Sequence, residues 1–369
     1  MHLPLGFLLP ILSSLFALGL SEVVLYGYYL GSRVDTDTVM IVPDYNLPFV
    51  YTRTPNNVAT VARKTTRTNN AGFRRLRDTA EGRSPKTVRI LSYGDSIGHG
   101  FGVEDTEQYT HRLESLLNNG ATDHPWEVLS TFRGSSPSVY TFHVRADHPR
   151  FHPDWIMVEI ELQNDLSDEA LLRLGARDET GMPRTIYGAR YVVSLEGLVI
   201  NNLSSAVPLL SRTVMYSAAI TAFGRWRSET MENPLFGPEG SPYYYNVGAD
   251  RYLLTKDSID QAWDDMFESL AAIKRFAESN QSRFLLVIVA GRDAFAKDAN
   301  ADGVKTLIQK AAAQAKQREI MYVDTYPYLA QAGGKDLFMD FCHPNPLGHE
   351  AIARALYDFF AKETQLPAS

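Results

Sequence analysis

Five short apolar runs of strand length alternate with helical patterns along most of the chain. The runs lie near residues 87–93, 126–130, 155–160, 283–290 and 320–324. Helical spacing appears in Ile259, Trp263, Phe267, Leu270 and Ile273, and again in Ile352, Ala355, Leu356, Phe359 and Phe360. This alternation is typical of a parallel sheet covered by helices. We therefore predict an α/β fold, a three-layer α/β/α sandwich around a five-stranded parallel sheet.

Polar residues follow three of these runs. Gly94-Asp95-Ser96 ends the first run, Asn164-Asp165 follows the third, and a loop with Asp340 and His343 comes after the fifth. In open α/β sheets the carboxyl ends of the strands carry the chemistry, because loops and helix N-termini with unpaired N–H groups converge there. Ser96 therefore has the position of a nucleophile.

A serine hydroxyl needs an imidazole to take its proton and a carboxylate to orient that imidazole. His343 and Asp340 are three residues apart, so one loop can supply both groups. We predict a catalytic triad of Ser96, Asp340 and His343. Cys342 is the one cysteine of the chain and lies between the two loop residues. It lacks the strand-end position, and we expect it to pack behind the loop.

Acyl transfer also needs donors for the negative charge of the tetrahedral intermediate. Asn164 follows the strand at 155–160, and Gly134 follows the shorter strand at 126–130. The backbone amide of Ser96 is the third donor at this sheet edge. We predict an oxyanion hole of Ser96, Gly134 and Asn164, with no metal ion and no cofactor.

The four pieces, in this order, resemble the sequence blocks of the SGNH, or GDSL-type, hydrolase family. Ser96 matches the Gly-Asp-Ser block, Gly134 the glycine block, Asn164-Asp165 the Asn-Asp block, and Asp340 with His343 the Asp-x-x-His block. The resemblance runs from about Asn70 to Phe360 and implies a flavodoxin-like sheet. One departure is Leu162, where the family usually has glycine two residues before the asparagine.

The resemblance implies an esterase that cleaves an acetyl or other acyl ester of a carbohydrate or lipid through an acyl-enzyme on Ser96. A short stretch upstream of the Gly-Asp-Ser block resembles the corresponding stretch of membrane-anchored and exopolysaccharide-associated members of the family. It is Asn70-Ala71-Gly72-Phe73-Arg74. Two alternatives remain. One is a polysaccharide O-acetyltransferase with the same triad. The other is a noncatalytic membrane-anchored scaffold, which Leu162 favours.

The N-terminal region predicts a membrane anchor. No residue from Leu3 to Ser21 is charged, and apolar residues resume from Val23 to Leu30. This length can span a bilayer. A cleaved signal peptide is the competing interpretation, but a basic N-terminal region and a clear small-residue cleavage site are lacking. We predict a single-pass transmembrane helix within residues 1–33, with a membrane protein as a further partner.

The side of the membrane depends on two opposing signals. Arg33 and a basic stretch beyond it follow the span, and the positive-inside rule taken literally puts the catalytic domain in the cytoplasm. Most of these charges lie beyond the roughly 20 residues over which that rule is strongest. The family resemblance implies an extracytoplasmic domain, which we adopt.

The remaining chain divides into a linker and one catalytic domain. Residues 34–86 are rich in Thr, Asn, Arg and Pro and predict a linker. The hydrolase domain follows at 87–362, with an insertion at about 166–257 that is either a substrate lid or a packed subdomain. A net charge of −7 gives no general attraction to the phosphate backbone, so we predict that nucleic acid is not a partner.

Two further clusters have competing interpretations. Glu159 and Glu161 alternate on one strand. They could be paired carboxylates for glycoside chemistry, but we predict that they form ion pairs, with Arg133 as one partner. A second cluster joins histidines and aspartates at His143, Asp147, His148, His152 and Asp154. Its spacing matches no zinc motif, and we predict surface histidines.

Overall fold

The computed structural model describes residues 13, 17, 19–21, 41–44, 47–53, 55–61, 64–82, 86–119, 124–132, 136–173, 256–297, 299–340 and 342–364. The chain divides into two compact units. In the smaller unit the described residues are helical, and the Ser21 hydroxyl donates to the Ala17 carbonyl at 2.8 Å. Every element named below belongs to the larger unit.

The predicted anchor at 1–33 falls mostly outside the described residues, as does most of the predicted insertion at 166–257. Within the part of the chain that is described, no helix combines the length and apolar character needed to cross a membrane.

The described strands and helices alternate in chain order after residue 86. The strands are β1 (Ile41–Asp44), β2 (Leu47–Arg53), β3 (Val58–Val61), β4 (Lys64–Arg67), β5 (Val88–Gly94), β6 (Trp126–Phe132), β7 (Trp155–Glu161), β8 (Arg283–Val289) and β9 (Met321–Asp324). The helices are α1 (Ser96–His99), α2 (Tyr109–Asn118), α3 (Pro137–Phe151), α4 (Leu162–Arg173), α5 (Lys256–Ser279), α6 (Ala299–Gln317), α7 (Tyr326–Ala332) and α8 (Pro346–Thr364).

The central sheet has five parallel strands in the order β6-β5-β7-β8-β9. This confirms the predicted five-stranded parallel sheet, and each strand lies within two residues of its predicted range. The inner strands are buried along nearly their whole length: β7 from end to end, and β8 apart from Arg283. Burial along the whole strand shows that both faces of these strands are covered.

The helices cover both faces of the sheet. The crossover from β5 to β6 runs in one direction along the sheet, and the later crossovers run in the other. Because parallel crossovers are right-handed, α2 lies on one face and α3 to α6 lie on the opposite face. The contacts agree, since α8 packs on α2 while α5 packs on α3 and α4. The strand order reverses between β5 and β7, and ligand crevices form at such reversals.

Part of the predicted linker at 34–86 is structured. β1 and β2 form one antiparallel hairpin, and β3 and β4 form another. Arg74 is buried and donates to Asp105 at 3.0 Å and to the carbonyl of Val103 at 2.6 Å. Phe73 of the same segment is buried in the core, with its ring 4.9 Å from that of Phe151. Single apolar residues and polar contacts together hold this segment, which explains why its sequence shows no sustained periodicity.

Candidate active site

Ser96 begins a four-residue helix at the carboxyl end of β5. Asp95 caps this helix, because its Oδ1 atom accepts a hydrogen bond from the Ile97 amide at 2.8 Å. The helix ends at Gly100, whose φ of 79° lies in the left-handed region that favours glycine. The Ser96 side chain is partly exposed on a turn whose other residues are buried.

His343 stands directly beside Ser96. Its Nε2 atom lies 2.8 Å from Ser96 Oγ, and its Nδ1 atom lies 2.7 Å from Asp340 Oδ2. An ionised carboxylate only accepts hydrogen bonds, so Nδ1 carries the hydrogen and Nε2 is free to accept the serine proton. The structure therefore brings together the three side chains for which the sequence predicts a triad.

The loop of Asp340 is preorganised by its own backbone. The amides of Cys342 and His343 donate to Asp340 Oδ1 at 3.0 and 2.8 Å. Although burial raises the pKa of Asp340, the hydrogen bonds from His343 and from these amides lower it to about 2. Asp340 is consequently ionised at neutral pH. The ring of Phe101 packs on the His343 ring, with centroids 4.4 Å apart.

The predicted oxyanion donors differ in their surroundings. The Ser96 amide occupies the first position of α1, where an N–H group has no partner within its own helix. Asn164 lies in the first turn of α4, on the other side of the strand reversal. Its Nδ2 atom donates to Asp95 Oδ2 at 2.6 Å, which uses one of two N–H groups and fixes the amide plane. Gly134 lies outside the described residues.

A group of buried carboxyls lies behind the serine turn. Burial, followed by the charge of Asp95, raises the pKa of both Glu159 and Asp165 well above ordinary values. Burial also raises the pKa of Asp95, against the hydrogen bond from Ile97 and the charge of His343. Glu159 accepts from the Tyr109 hydroxyl at 2.9 Å. Within the described residues Glu159 has this phenol as its hydrogen-bond partner, and its ion pairing stays a prediction.

Glu161 makes different hydrogen bonds from Glu159. Its Oε2 atom accepts from the Asn164 backbone amide at 2.9 Å, and its own amide donates to Asp165 Oδ2 at 2.7 Å. These bonds join the end of β7 to the start of α4. Leu162 is buried at this junction. Arg133, suggested as an ion-pair partner, lies outside the described residues.

Arg74 is a residue at the site for which the sequence predicts no role. Its Nη1 atom donates to the carbonyls of His99 and Gly100, the last residue and the C-cap of the serine helix, at 2.7 and 2.5 Å. The sequence feature that could have indicated a role for Arg74 is its place in the stretch at 70–74, upstream of the Gly-Asp-Ser block. Arg74 therefore anchors the far end of the turn that carries Ser96.

Cys342 is buried, as predicted, and burial raises the pKa of its thiol. Its Sγ atom lies 3.6 Å from His343 Nδ1. Within the described residues, metal-ligating atoms group together at Asp340, Cys342 and His343, all within 4.8 Å of one another. His343 already binds Asp340 and Ser96 through its two ring nitrogens, so this set does not fit a resident metal ion.

The histidine and aspartate cluster has structural contacts. His148 Nε2 lies 2.9 Å from Ser282 Oγ, Asp147 accepts from the Tyr93 hydroxyl at 3.3 Å, and Asp154 accepts from the Arg89 amide at 2.8 Å. The prediction of surface histidines is wrong for His143 and His148, which are buried. They lie on the α3 face that packs against the sheet and α5.

Similar folds occur among solved structures. They include a member of the lipolytic protein G-D-S-L family from Veillonella parvula, with 12% identity over 75% of this chain and 100% of that chain and a TM-score of 0.39. TesA has 12% identity over 74% and 98%, with a TM-score of 0.40. A catalytic mutant of Axe2, an acetylxylan esterase from Geobacillus stearothermophilus, has 12% identity over 78% and 98%, also with a TM-score of 0.40.

No protein-family profile and no curated protein sequence matches the chain. Solved GDSL-type hydrolases are thus what the chain is similar to in structure.

Proposed function

We propose that the protein is a serine acyl hydrolase that forms an acyl-enzyme on Ser96. The observation that carries this proposal is the unbroken chain of contacts from Ser96 Oγ to His343 Nε2 at 2.8 Å and from His343 Nδ1 to Asp340 Oδ2 at 2.7 Å. Both distances are normal for hydrogen bonds, so the base is already in place before substrate binds.

The first half-reaction breaks the ester. His343 Nε2 takes the proton from Ser96 Oγ while Oγ attacks the ester carbonyl carbon. Asp340 stays ionised and stabilises the imidazolium that forms. The carbonyl oxygen becomes an oxyanion, for which the Ser96 amide and the second N–H of Asn164 are the described donors. Collapse of the intermediate expels the alcohol, which takes the proton from His343.

The second half-reaction releases the acid. Water attacks the acyl-enzyme as His343 again removes a proton, and Ser96 Oγ leaves with that proton. We infer an acetyl or other acyl ester of a carbohydrate or lipid as substrate. Analysis of the products separates this reaction from transfer: a sugar hydroxyl as acceptor would give an acylated sugar instead of free acid.

Labelling with a fluorophosphonate probe tests the proposal directly. The intact protein is compared with Ser96→Ala and His343→Ala, and mass spectrometry locates the adduct. We expect an adduct on Ser96 of the wild type and none in either variant. A Cys342→Ala variant is the matched control, because it removes the neighbouring thiol and should still be labelled on Ser96. A folded wild type that takes no label would overturn the proposal.

We further propose that residues 1–33 anchor the protein in a membrane, with the catalytic domain outside the cytoplasm. The uncharged run from Leu3 to Ser21 supports the anchor, and the family resemblance supports the orientation. Extraction of membranes with alkaline carbonate should leave the full chain in the pellet and release a chain that begins at residue 34. Protease added to intact cells or spheroplasts should cleave the domain; protection there would reverse the orientation.

A further inference from the structure

A cavity of about 780 Å³ opens at the carboxyl ends of β8 and β9. Since the sheet is parallel, this is the edge that carries Ser96 at the end of β5. Small-molecule sites have volumes of about 300–1,000 Å³, so the cavity has room for a ligand of several rings. Its walls are the turn after β8, Lys305 of α6, Tyr326 and Ala330 of α7, and the turn at 333–336.

The lining of the cavity is positively charged. It contains four cations, namely Arg292, Lys297, Lys305 and Lys335, and two carboxylates, Asp293 and Asp336. The local charge is therefore +2, in a chain whose net charge is −7. A concave surface of one sign concentrates ligands of the opposite sign.

Most of these cations have no carboxylate to neutralise them. In the described ranges, ion pairs involve neither Arg292 nor Lys297 nor Lys335, and Lys305 approaches Asp302 at 3.8 Å. Asp302 lies outside the cavity lining. The guanidinium and ammonium donors are thus available to an anionic ligand, and the fork of Arg292 matches a carboxylate.

An aromatic wall stands beside the charges. The rings of Phe295 and Tyr326 are stacked, with centroids 5.1 Å apart and planes 3° from parallel. The Lys305 ammonium lies 6.0 Å from the centre of the Tyr326 ring. Both rings are only half-buried. A ligand with an apolar ring face next to a negative group can use both features at once.

The cavity wall continues into the loop of the triad. The turn Gly334–Leu337 leads directly to Phe338, Met339 and Asp340. The Phe295 ring lies 5.9 Å from the Phe338 ring. Asn345, just after His343, donates to the carbonyls of Asp336 and Leu337 at 2.9 and 2.7 Å. The wall and the base of the triad therefore form one hydrogen-bonded piece.

We propose that this cavity binds an anionic saccharide. Its carboxylates pair with Arg292, Lys297 and Lys335, and a sugar ring lies against Phe295 and Tyr326. That this saccharide is the alcohol portion of an ester cleaved at Ser96 rests on the function proposed above, whereas the binding itself does not.

Binding is measured by calorimetry in the Ser96→Ala protein, so that no turnover is involved. The probes are a galacturonate tetramer, the same tetramer fully methyl-esterified, and inorganic phosphate. The test variant is Arg292→Glu with Lys335→Glu. The charge-matched control is Lys316→Glu with Lys362→Glu, because these exposed lysines lie in the last turns of α6 and α8 and change the net charge equally. Thermal unfolding confirms that each variant folds.

The acidic tetramer should bind, and the test variant should weaken this binding by about tenfold, allowing for solvent screening of exposed ion pairs. The control pair should bind as the parent does, and the methyl-esterified tetramer should bind far more weakly. Equal binding of the two tetramers, equal losses in test and control variants, or no binding at all would overturn the proposal. Displacement of the tetramer by an equal concentration of phosphate would reduce the cavity to a simple anion site and also contradict it.

These outcomes are separable from those of the fluorophosphonate experiment. Saccharide binding without labelling of Ser96 would leave the cavity assignment standing and remove the hydrolase. Labelling of Ser96 without saccharide binding would support the hydrolase and remove the cavity assignment.

Discussion

The carboxyl oxygen Oε2 of Glu159 lies 2.6 Å from the point where a side chain on Gly98 would begin. The same oxygen lies 2.8 Å from the corresponding point on Gly94. Neither glycine has a positive φ, so any residue could adopt its backbone conformation. The volume of one buried acid, rather than backbone geometry, therefore excludes side chains at Gly98. At Gly94 the Cα of Gly98, at 3.2 Å, adds to the crowding.

Gly98→Ala should destabilise the protein because its methyl group collides with Glu159. Overpacking of this kind costs about 1–3 kcal/mol. In a Glu159→Ala background the same change should cost less than half as much, since the carboxyl is gone. Urea unfolding of the two single variants and the double variant gives the coupling energy. Gly98→Ala combined with the distant, partly exposed Glu363→Ala should be additive; equal costs of Gly98→Ala in both backgrounds would contradict the collision.

Glu159→Gln should flatten the decline of stability with rising pH. Burial raises the pKa of Glu159 well above 4.5, so the folded protein keeps a proton that the unfolded chain loses. The folded state then binds more protons, and its stability falls as pH rises above about 4.5, by at most about 1.4 kcal/mol per pH unit for one group. Glutamine stays neutral and can still accept from Tyr109.

The measurement is the free energy of unfolding in urea between about pH 5 and pH 8. Glu278→Gln, which neutralises an exposed carboxyl on α5, should follow the wild-type curve. A Glu159→Gln curve as steep as that of the wild type would show that Glu159 is ionised in the folded protein.

Asp95→Asn should lower kcat while leaving KM nearly unchanged. Asp95 accepts from the Ile97 amide with one oxygen and from Asn164 with the other. Asparagine has a single acceptor oxygen, so either the serine helix loses its cap or the Asn164 amide loses its orientation. Loss of an oxyanion donor costs about 10²–10³ in kcat, and its misorientation should cost about tenfold to hundredfold.

A double-variant cycle shows whether Asp95 acts on kcat through Asn164 or through the serine helix. If Asp95 acts by orienting Asn164, Asp95→Asn should add little to the loss caused by Asn164→Ala. Losses that multiply would assign the effect of Asp95 to the serine helix instead. Steady-state hydrolysis of p-nitrophenyl acetate supplies kcat and KM for all four proteins.

Local pattern was enough to predict the framework of this site. The parallel sheet follows from short, mainly apolar runs that alternate with helical patterns, and Ser96, Asn164 and His343 are candidates because they follow strands or their loops. Such features are contained in short windows of sequence. The structure places Ser96 and Asn164 on the two sides of the strand reversal, which is where α/β sheets form their crevices.

Pairings between distant residues were not predictable in the same way. Glu159 meets Tyr109 across 50 positions, and Asn164 meets Asp95 across 69. No periodicity encodes which of several acids will be buried with a raised pKa. One signal was present: Glu159 interrupts an apolar strand of a sheet predicted to be covered on both faces, where a charge is costly. The structured part of the predicted linker was not predictable either, because its buried residues, such as Phe73 and Arg74, are too few and too mixed in character to form an apolar pattern.

Asp340→Asn should reduce kcat by about 10⁴ with little change in KM, the effect expected when a triad carboxylate becomes an amide. In the wild type Asp340 is ionised, with a pKa of about 2, and accepts a hydrogen bond from the N–H group of His343 Nδ1. An asparagine amide that donates to Nδ1 moves the imidazole proton to Nε2, which then cannot accept from Ser96. The Glu278→Gln protein serves as the exposed-carboxyl control and should retain wild-type kcat.

The same variant should also change stability in acid. The pKa of Asp340 is lower in the folded protein than its usual 3.8, so its ionised form stabilises the fold above that value. This contribution disappears as pH falls from about 4 towards 2. Unfolding at pH 3 and pH 6 should therefore differ less in Asp340→Asn than in the wild type. Wild-type turnover by Asp340→Asn would remove the carboxylate from the mechanism, whatever the acid unfolding shows.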